Sequence, residues 1–222
     1  MALLNENVTA ETRRILGEMR GLVRMTCFTQ AECHGCTHLV DLAGEVAALS
    51  PQLRLDVLDV LAAAPAAARL GVTRVPALAL RRDQEERVPV RYSGLPAGHE
   101  FGAFLRTLIL LSTGRGMPGV DAAAVAPIAR PAELKVFVLA ACPRCPEMVY
   151  LCNSIAAASP LVTVDVIDAG AFPELVSRYQ VGQVPKVLIN DATEVLDVVP
   201  AATLIAKIVA ATAPPPAMSP QD

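Results

Sequence analysis

No stretch of this 222-residue chain reaches the roughly 18 uninterrupted apolar residues that a membrane-spanning helix needs. The best candidate, Phe104 to Leu111, contains Arg106 and stops early. Lysine and arginine number 19 against 22 acidic residues and form no long cluster, so nothing invites nucleic acid. No GxGxxG follows a strand, so nothing points to a flavin or nicotinamide site. The opening residues Met1-Ala2-Leu3-Leu4-Asn5-Glu6-Asn7 are polar and acidic where a signal peptide is basic and then apolar. With net charge −3, pI near 5.7 and a mean hydropathy of +0.44 owed largely to alanine, the expectation is a soluble, cytoplasmic protein with no membrane or nucleic-acid partner.

What the chain does have is six cysteines, four of them in two CxxC pairs. In a reducing compartment such pairs are catalytic or metal-binding more often than structural. Cys142-Pro143-Arg144-Cys145-Pro146 follows the apolar run Val136-Phe137-Val138-Leu139-Ala140-Ala141 and precedes a helical pattern. Two cysteines three residues apart on a helix's first turn can close a disulfide with little backbone movement. Unpaired N–H groups and the helix dipole there favour the thiolate of the first. Cys33-His34-Gly35-Cys36 is the same arrangement 109 residues earlier.

The 109-residue register extends well beyond the cysteines. It carries Phe28 to Phe137, Asp56 to Asp165, Asp59 to Asp168, and Val72, Val75 and Pro76 to Val181, Val184 and Pro185, with no gap between Cys33 and Leu80. One unit of roughly a hundred residues is used twice. We place the units at 1–116 and 117–212, divided at the linker-like Gly114-Arg115-Gly116-Met117-Pro118-Gly119, with a disordered Pro-rich tail at 213–222.

Within each unit the pattern predicts helix, strand, CxxC helix, strand, helix, Val-Pro strand, strand, helix. Thr9 to Arg20 reads as an amphipathic helix capped by Thr9, and Asp121 to Arg130 as its counterpart. Cys33 and Cys142 are expected to open helices with matching stripes, Leu39, Leu42, Ala43 and Val46 against Met148, Leu151, Cys152 and Ile155. Asp59 and Asp168, ending strands 53–59 and 162–168, are expected helix caps. Strands Ala77 to Leu80 and Lys186 to Asn190 follow the prolines, returning along Val88 to Tyr92 and Val195 to Val199. Closing helices run to about Ser112 and from Pro200 to Ala211. The fold class is α/β: two tandem thioredoxin-like folds with mixed sheets flanked by helices. Cys27 and Cys152 are expected to be buried spectators.

On these motifs, and on the segment Val90-Arg91-Tyr92-Ser93-Gly94-Leu95-Pro96-Ala97-Gly98-His99-Glu100-Phe101, the chain resembles the double-thioredoxin-fold protein disulfide oxidoreductases, also called glutaredoxin-like. A more distant likeness is to the N-terminal domain of the flavoprotein that serves alkyl hydroperoxide reductase, in which only the second dithiol is kept. The resemblance implies one compact body, cis prolines at Pro76 and Pro185, and Val75 and Val184 offering main-chain groups to an extended substrate. Such main-chain pairing implies broad protein-disulfide substrates, and with no flavin or nicotinamide motif no bound cofactor is expected and electrons are expected from an external reductase of the thioredoxin reductase type.

Cys33 and Cys142 are the expected nucleophiles, and Cys36 and Cys145 the resolving thiols. His34 and Arg144 are candidates for tuning thiolate pKa. Glu32 opposes this at the first site, so Cys142 is expected to be the more acidic. Three other functions use the same residues: an electron relay to a peroxidase, a glutathione-dependent glutaredoxin, and a metal module using Cys33, Cys36 and His38. The last has only three candidate ligands where structural zinc wants four, and no matching histidine in the second half.

Overall fold

The computed structural model describes residues 3–213; the Pro-rich tail, beyond Ala213, lies outside the described residues. The first half contains α1 (Glu6–Leu16), β1 (Val23–Thr29), α2 (Cys36–Ala47), β2 (Leu53–Asp59), α3 (Ala64–Arg69), β3 (Ala77–Arg82), β4 (Val90–Ser93) and α4 (Glu100–Thr113). The second contains α5 (Ala122–Val125), β5 (Ala132–Val138), α6 (Cys145–Ala158), β6 (Val162–Asp168), α7 (Pro173–Arg178), β7 (Lys186–Ile189), β8 (Thr193–Leu196) and α8 (Ala201–Thr212). The strands β1 and β5, β2 and β6, and the helices α3 and α7 begin and end 109 residues apart, the offset read from the cysteines.

All eight strands form one mixed sheet in the order β2-β1-β3-β4-β6-β5-β7-β8. Each half is a thioredoxin-like unit with a parallel pair followed by an antiparallel hairpin. They join through the parallel pairing of β4 with β6, Val90 opposite Val164 to Ser93 opposite Ile167. One face carries a single apolar core shared by both halves, including Met25, Leu39, Leu108, Leu134, Met148 and Ile155. The other face holds two smaller clusters, one around Phe28 and Leu70 and one around Phe137 and Phe172. Buried polar contacts reinforce the joint on the first face, where α4 packs against α6. Asn153 of α6 donates to Thr107 Oγ1 of α4 at 2.9 Å and to the Tyr92 hydroxyl of β4 at 3.3 Å.

Several boundaries depart from the pattern. The first helix starts at Glu6, not Thr9, because Asn5 caps it by accepting from the Val8 N–H at 3.0 Å; Met19 lies beyond its end yet is buried. The expected helix at Asp121 to Arg130 is a single turn. Asp121 caps it, accepting from Ala124 N–H at 2.9 Å, but Pro127 cannot continue it. Asp59 and Asp168 cap turns ahead of α3 and α7: Asp59 accepts from Leu61 and Ala62, and Asp168 from Gly170, while the helix N-caps are Ala63 and Phe172. The return strand β4 begins after Pro89, which has no N–H for the ladder. β8 begins at Thr193 because Asn190 and Asp191, at φ 51° and 58°, turn the hairpin at once.

The first hairpin is the longer of the two, and its extra residues reach into the other half. Arg87, ahead of β4, donates to the carbonyls of Ala156 and Ser159 at 2.9 Å each, and also to Val162. It thereby satisfies carbonyls left open at the end of α6.

Candidate active site

β1 and β5 run in the same direction, since β1 is antiparallel to β3, β3 to β4, and β4, β6 and β5 are mutually parallel. Both CxxC segments leave the C-terminal ends of these strands, so both dithiols sit on one edge of the sheet. Neighbouring strands lie about 4.8 Å apart, so the four intervals from β1 to β5 separate the dithiols by roughly 19 Å, or on the order of 25 Å with the sheet's twist. The helices α2, α4 and α6 all start at this edge, directing three positive dipole ends towards it.

Cys33 and Cys36 form a disulfide, as do Cys142 and Cys145, each with Cα atoms 5.5 Å apart. In both pairs the first cysteine is half-buried and the second buried. Here the structure corrects the expectation that Cys33 and Cys142 open their helices. The second cysteine is the first helical residue, and the first lies in the preceding turn, with Gly35 and Arg144 as N-caps. The turn still delivers a donor to the sulfur: the Cys145 N–H points at Cys142 Sγ, 3.1 Å away. Gly35 has φ +90°, a conformation that favours glycine, and a Cβ on it would lie 3.5 Å from Pro76 Cγ.

The Val75-Pro76 and Val184-Pro185 peptide bonds are both cis. Val184 O lies 3.9 Å from Cys142 Sγ. Among the described residues neither Val75 nor Val184 uses its main-chain N–H or C=O in a backbone hydrogen bond. Arg74, one residue ahead, donates to Asp165 Oδ2 of β6 at 2.6 Å and to Ser93 Oγ at 3.0 Å, so the first proline loop is tied to the second half.

The two residues expected to tune the thiols differ. Arg144 pairs with Asp197 at 2.7 Å, and the same Asp197 sends its N–H to the Pro185 carbonyl; its charge is shared before it reaches Cys142. His34 is exposed and makes no ion pair among the described residues. Nor, among the described residues, do three His, Cys, Asp or Glu side chains gather as a metal site.

One functional candidate has no signature in the sequence. Glu100, the first residue of α4, is 2% exposed and neither carboxylate oxygen has a hydrogen-bond partner. Burial, and secondarily the charge of Asp168, push its pKa up to about 7. The segment before it is pressed against the turn that joins β5 to the second dithiol. Gly98 (φ +60°) approaches so closely that a Cβ would fall 2.4 Å from Ala140 O, and His99 N–H donates to that carbonyl at 2.9 Å. Cys142 follows two residues later. Glu100 belongs by sequence to the first half, while the two residues just before it touch the turn that leads to the second dithiol. The matching first residue of α8 is Ala201. A helix-opening acid reads as a dipole partner, and no local pattern betrays its burial.

On its other side this segment walls a cavity of about 310 Å³, lined by Leu3, Leu4, Leu42, Leu95, Ala97 and Phe101. The buried thiols lie elsewhere. Cys27 and Cys152 are inaccessible, and burial pushes Cys27 up to about 12 and Cys152 higher still.

A thioredoxin-domain family profile matches residues 132–210. The alkyl hydroperoxide reductase F protein of Staphylococcus aureus (strain NCTC 8325 / PS 47) is 25% identical over 191 residues, covering 85% of this chain and 34% of that protein. The Xanthomonas campestris pv. phaseoli protein of the same name is 29% identical over 160 residues, covering 70% and 28%. The chain thus spans about a third of the length of the curated relatives it matches. Among solved structures, the NTD_N/C domain of alkylhydroperoxide reductase AhpF from Enterococcus faecalis superposes with a TM-score of 0.83 at 22% identity, covering 95% of this chain and all of that one. A protein disulfide oxidoreductase from Aeropyrum pernix K1 superposes at 0.84 and 23% identity, covering 94% and 93%. These likenesses extend over both halves and bear out the double thioredoxin-like fold.

Proposed function

We propose that this chain is a thiol–disulfide oxidoreductase that acts on protein disulfides by mixed-disulfide exchange at two dithiols, one in each unit (1–116 and 117–212). The observation that carries this reading is the arrangement at Cys142. A half-buried sulfur at a helix start faces a buried resolving sulfur, a main-chain N–H and the open main chain of Val184. Cys142 attacks a client disulfide and Cys145 displaces the client sulfur; Cys33 and Cys36 do the same at the first site. Val75-Pro76 and Val184-Pro185 hold the client strand. His34 and Arg144 modulate the thiolates, Arg144 in competition with Asp197.

Nothing in the mechanism requires a bound cofactor. Electrons come from a separate flavoenzyme of the thioredoxin reductase type, and the protein works in the reducing cytoplasm, a setting compatible with its two unpaired cysteines. Turnover of an insulin-type protein disulfide under dithiothreitol tests the proposal, comparing wild type with Cys33→Ser/Cys36→Ser and Cys142→Ser/Cys145→Ser. Each double variant is expected to keep part of the activity, and their combination to fall to the dithiothreitol background. A wild type no faster than dithiothreitol overturns the reading.

A second reading, a relay of electrons to a peroxidase, is supported by the similarity to the alkyl hydroperoxide reductase F protein along 85% of the chain. Coupling of reduced protein to a peroxiredoxin and a hydroperoxide distinguishes it.

A further inference from the structure

The two dithiols are placed as a pair. Both open on the same edge of one continuous sheet, with three strands between them, and each lies beside a valine whose main-chain hydrogen-bonding groups are unused by the backbone. Their spacing is fixed from both sides of the sheet. On one face Arg74 locks the first proline loop to Asp165 of β6, an acid only 4% exposed. On the other, Gly98 and His99 lock the start of α4 to Ala140 at the second dithiol. The entry to α4, the helix that starts between α2 and α6, contributes Leu95 and Phe101 to an apolar cavity that Leu42 of α2 also lines. Leu61 and Leu139, which leave the same edge after β2 and β5, are 71% and 41% exposed.

We infer that the protein takes one extended client segment across both dithiols at once, two client cysteines reaching Cys33 and Cys142 together. The client is an unfolded polypeptide with apolar residues between cysteines spaced at least about six residues apart, since an extended chain advances roughly 3.3 Å per residue. This rests on the proposed disulfide exchange and specifies its substrate. In the step itself, the Cys33 and Cys142 thiolates each attack one sulfur of a separate client disulfide and expel its partner as a thiolate. Cys36 and Cys145 thiolates then displace the two client sulfurs. Four protein thiols become two disulfides, two client disulfides become four thiols, and the four electrons and four protons pass from protein to client. The second attachment is intramolecular, so at micromolar client it proceeds at least about tenfold faster than the first.

The test uses the full chain with Cys36→Ser and Cys145→Ser, which traps both mixed disulfides. It is mixed one to one with either of two synthetic peptides whose paired cysteines are activated as thionitrobenzoate disulfides. In one peptide the cysteines are adjacent; with two disulfide arms of about 4 Å each they reach less than about 15 Å. In the other they are ten residues apart and reach over about 30 Å. Intact mass is expected to give one peptide joined through both sulfurs for the long spacing, and singly joined peptides that retain one thionitrobenzoate for the short one. Singly joined or protein-bridging adducts with the long peptide overturn the two-point reading while leaving disulfide exchange standing. No adduct with either peptide overturns both.

Discussion

Arg74 and Asp165 stand 91 positions apart in the chain and meet at 2.6 Å, one beside the first cis proline and the other on a strand of the second unit. The contact is largely withdrawn from water, with the two side chains 21% and 5% exposed. Its counterpart by the internal repeat would be Gln183, which cannot carry the charge. The units are alike in fold and unlike in how each supports the other.

Arg74→Ala leaves Asp165 buried with Ser93 Oγ as its remaining side-chain donor. Losing one member of such a pair is expected to cost about 2 kcal/mol, which in a chain of this size lowers Tm by roughly 4–8 °C. Thermal unfolding monitored by circular dichroism checks it, and Arg74→Lys is expected to recover part of the loss. An unchanged Tm in Arg74→Ala would mean the pair contributes nothing.

Glu100 makes stability fall as pH rises. Its carboxyl group is pushed up to about 7 from an ordinary 4.5, so between these values the unfolded chain has released a proton that the folded one keeps. Folding there takes up a proton and is opposed by rising pH; above about 7 both states are ionised and the full penalty remains. Glu100→Gln is therefore expected to unfold at higher temperature than wild type at pH 8 and to lose that advantage near pH 4.5.

Gly98→Ala places a methyl group against the Ala140 carbonyl at a positive φ, and either the α4 entry or the turn before Cys142 must shift. A cost of about 2 kcal/mol is expected, together with at least tenfold slower insulin reduction in the Cys33→Ser/Cys36→Ser background. Little change is expected in the Cys142→Ser/Cys145→Ser background. Equal loss in both would indicate general destabilisation.

Fully reduced native protein is expected to take two equivalents of iodoacetamide rapidly at neutral pH, at the half-buried Cys33 and Cys142, and six after unfolding, because Cys36 and Cys145 are buried. Cys27 and Cys152 are inaccessible and their thiols are held protonated. Mass spectrometry of the native adduct gives the count directly, and a third rapid label would mean that one of the buried positions opens.

The repeat makes much of the fold legible. Strands β1, β2, β5 and β6 carry dense β-branched and leucine patterns that announce themselves twice, and the prolines mark where β3 and β7 begin. The first helix starts earlier than its pattern because its opening turns bury nothing; its stripe begins only at Thr12 and Leu16, so periodicity points past the Asn5 cap. The cysteine turns sit one step ahead of their helices, and CxxC spacing alone does not separate a turn from a first helical turn. Glu100 and Arg74 are illegible for a different reason. Their environments come from Ala140, Asp168 and Asp165, residues of the other unit, and a pattern read along one unit carries no trace of the neighbour that encloses it.

The pairing of β4 with β6 has an evolutionary consequence. In a lone ancestral unit the strand corresponding to β4 would have been an open sheet edge, able to recruit further strands, and so would the one corresponding to β6. Tandem duplication lets one copy shield the other, but by different edges, so the relation is head-to-tail rather than symmetric. Arg74 and Arg87 reach into the second copy and Asn153 reaches back to Tyr92 and Thr107 through different contacts, so the two copies are no longer interchangeable at the joint. A gene encoding the same two halves in the opposite order would specify a different joint.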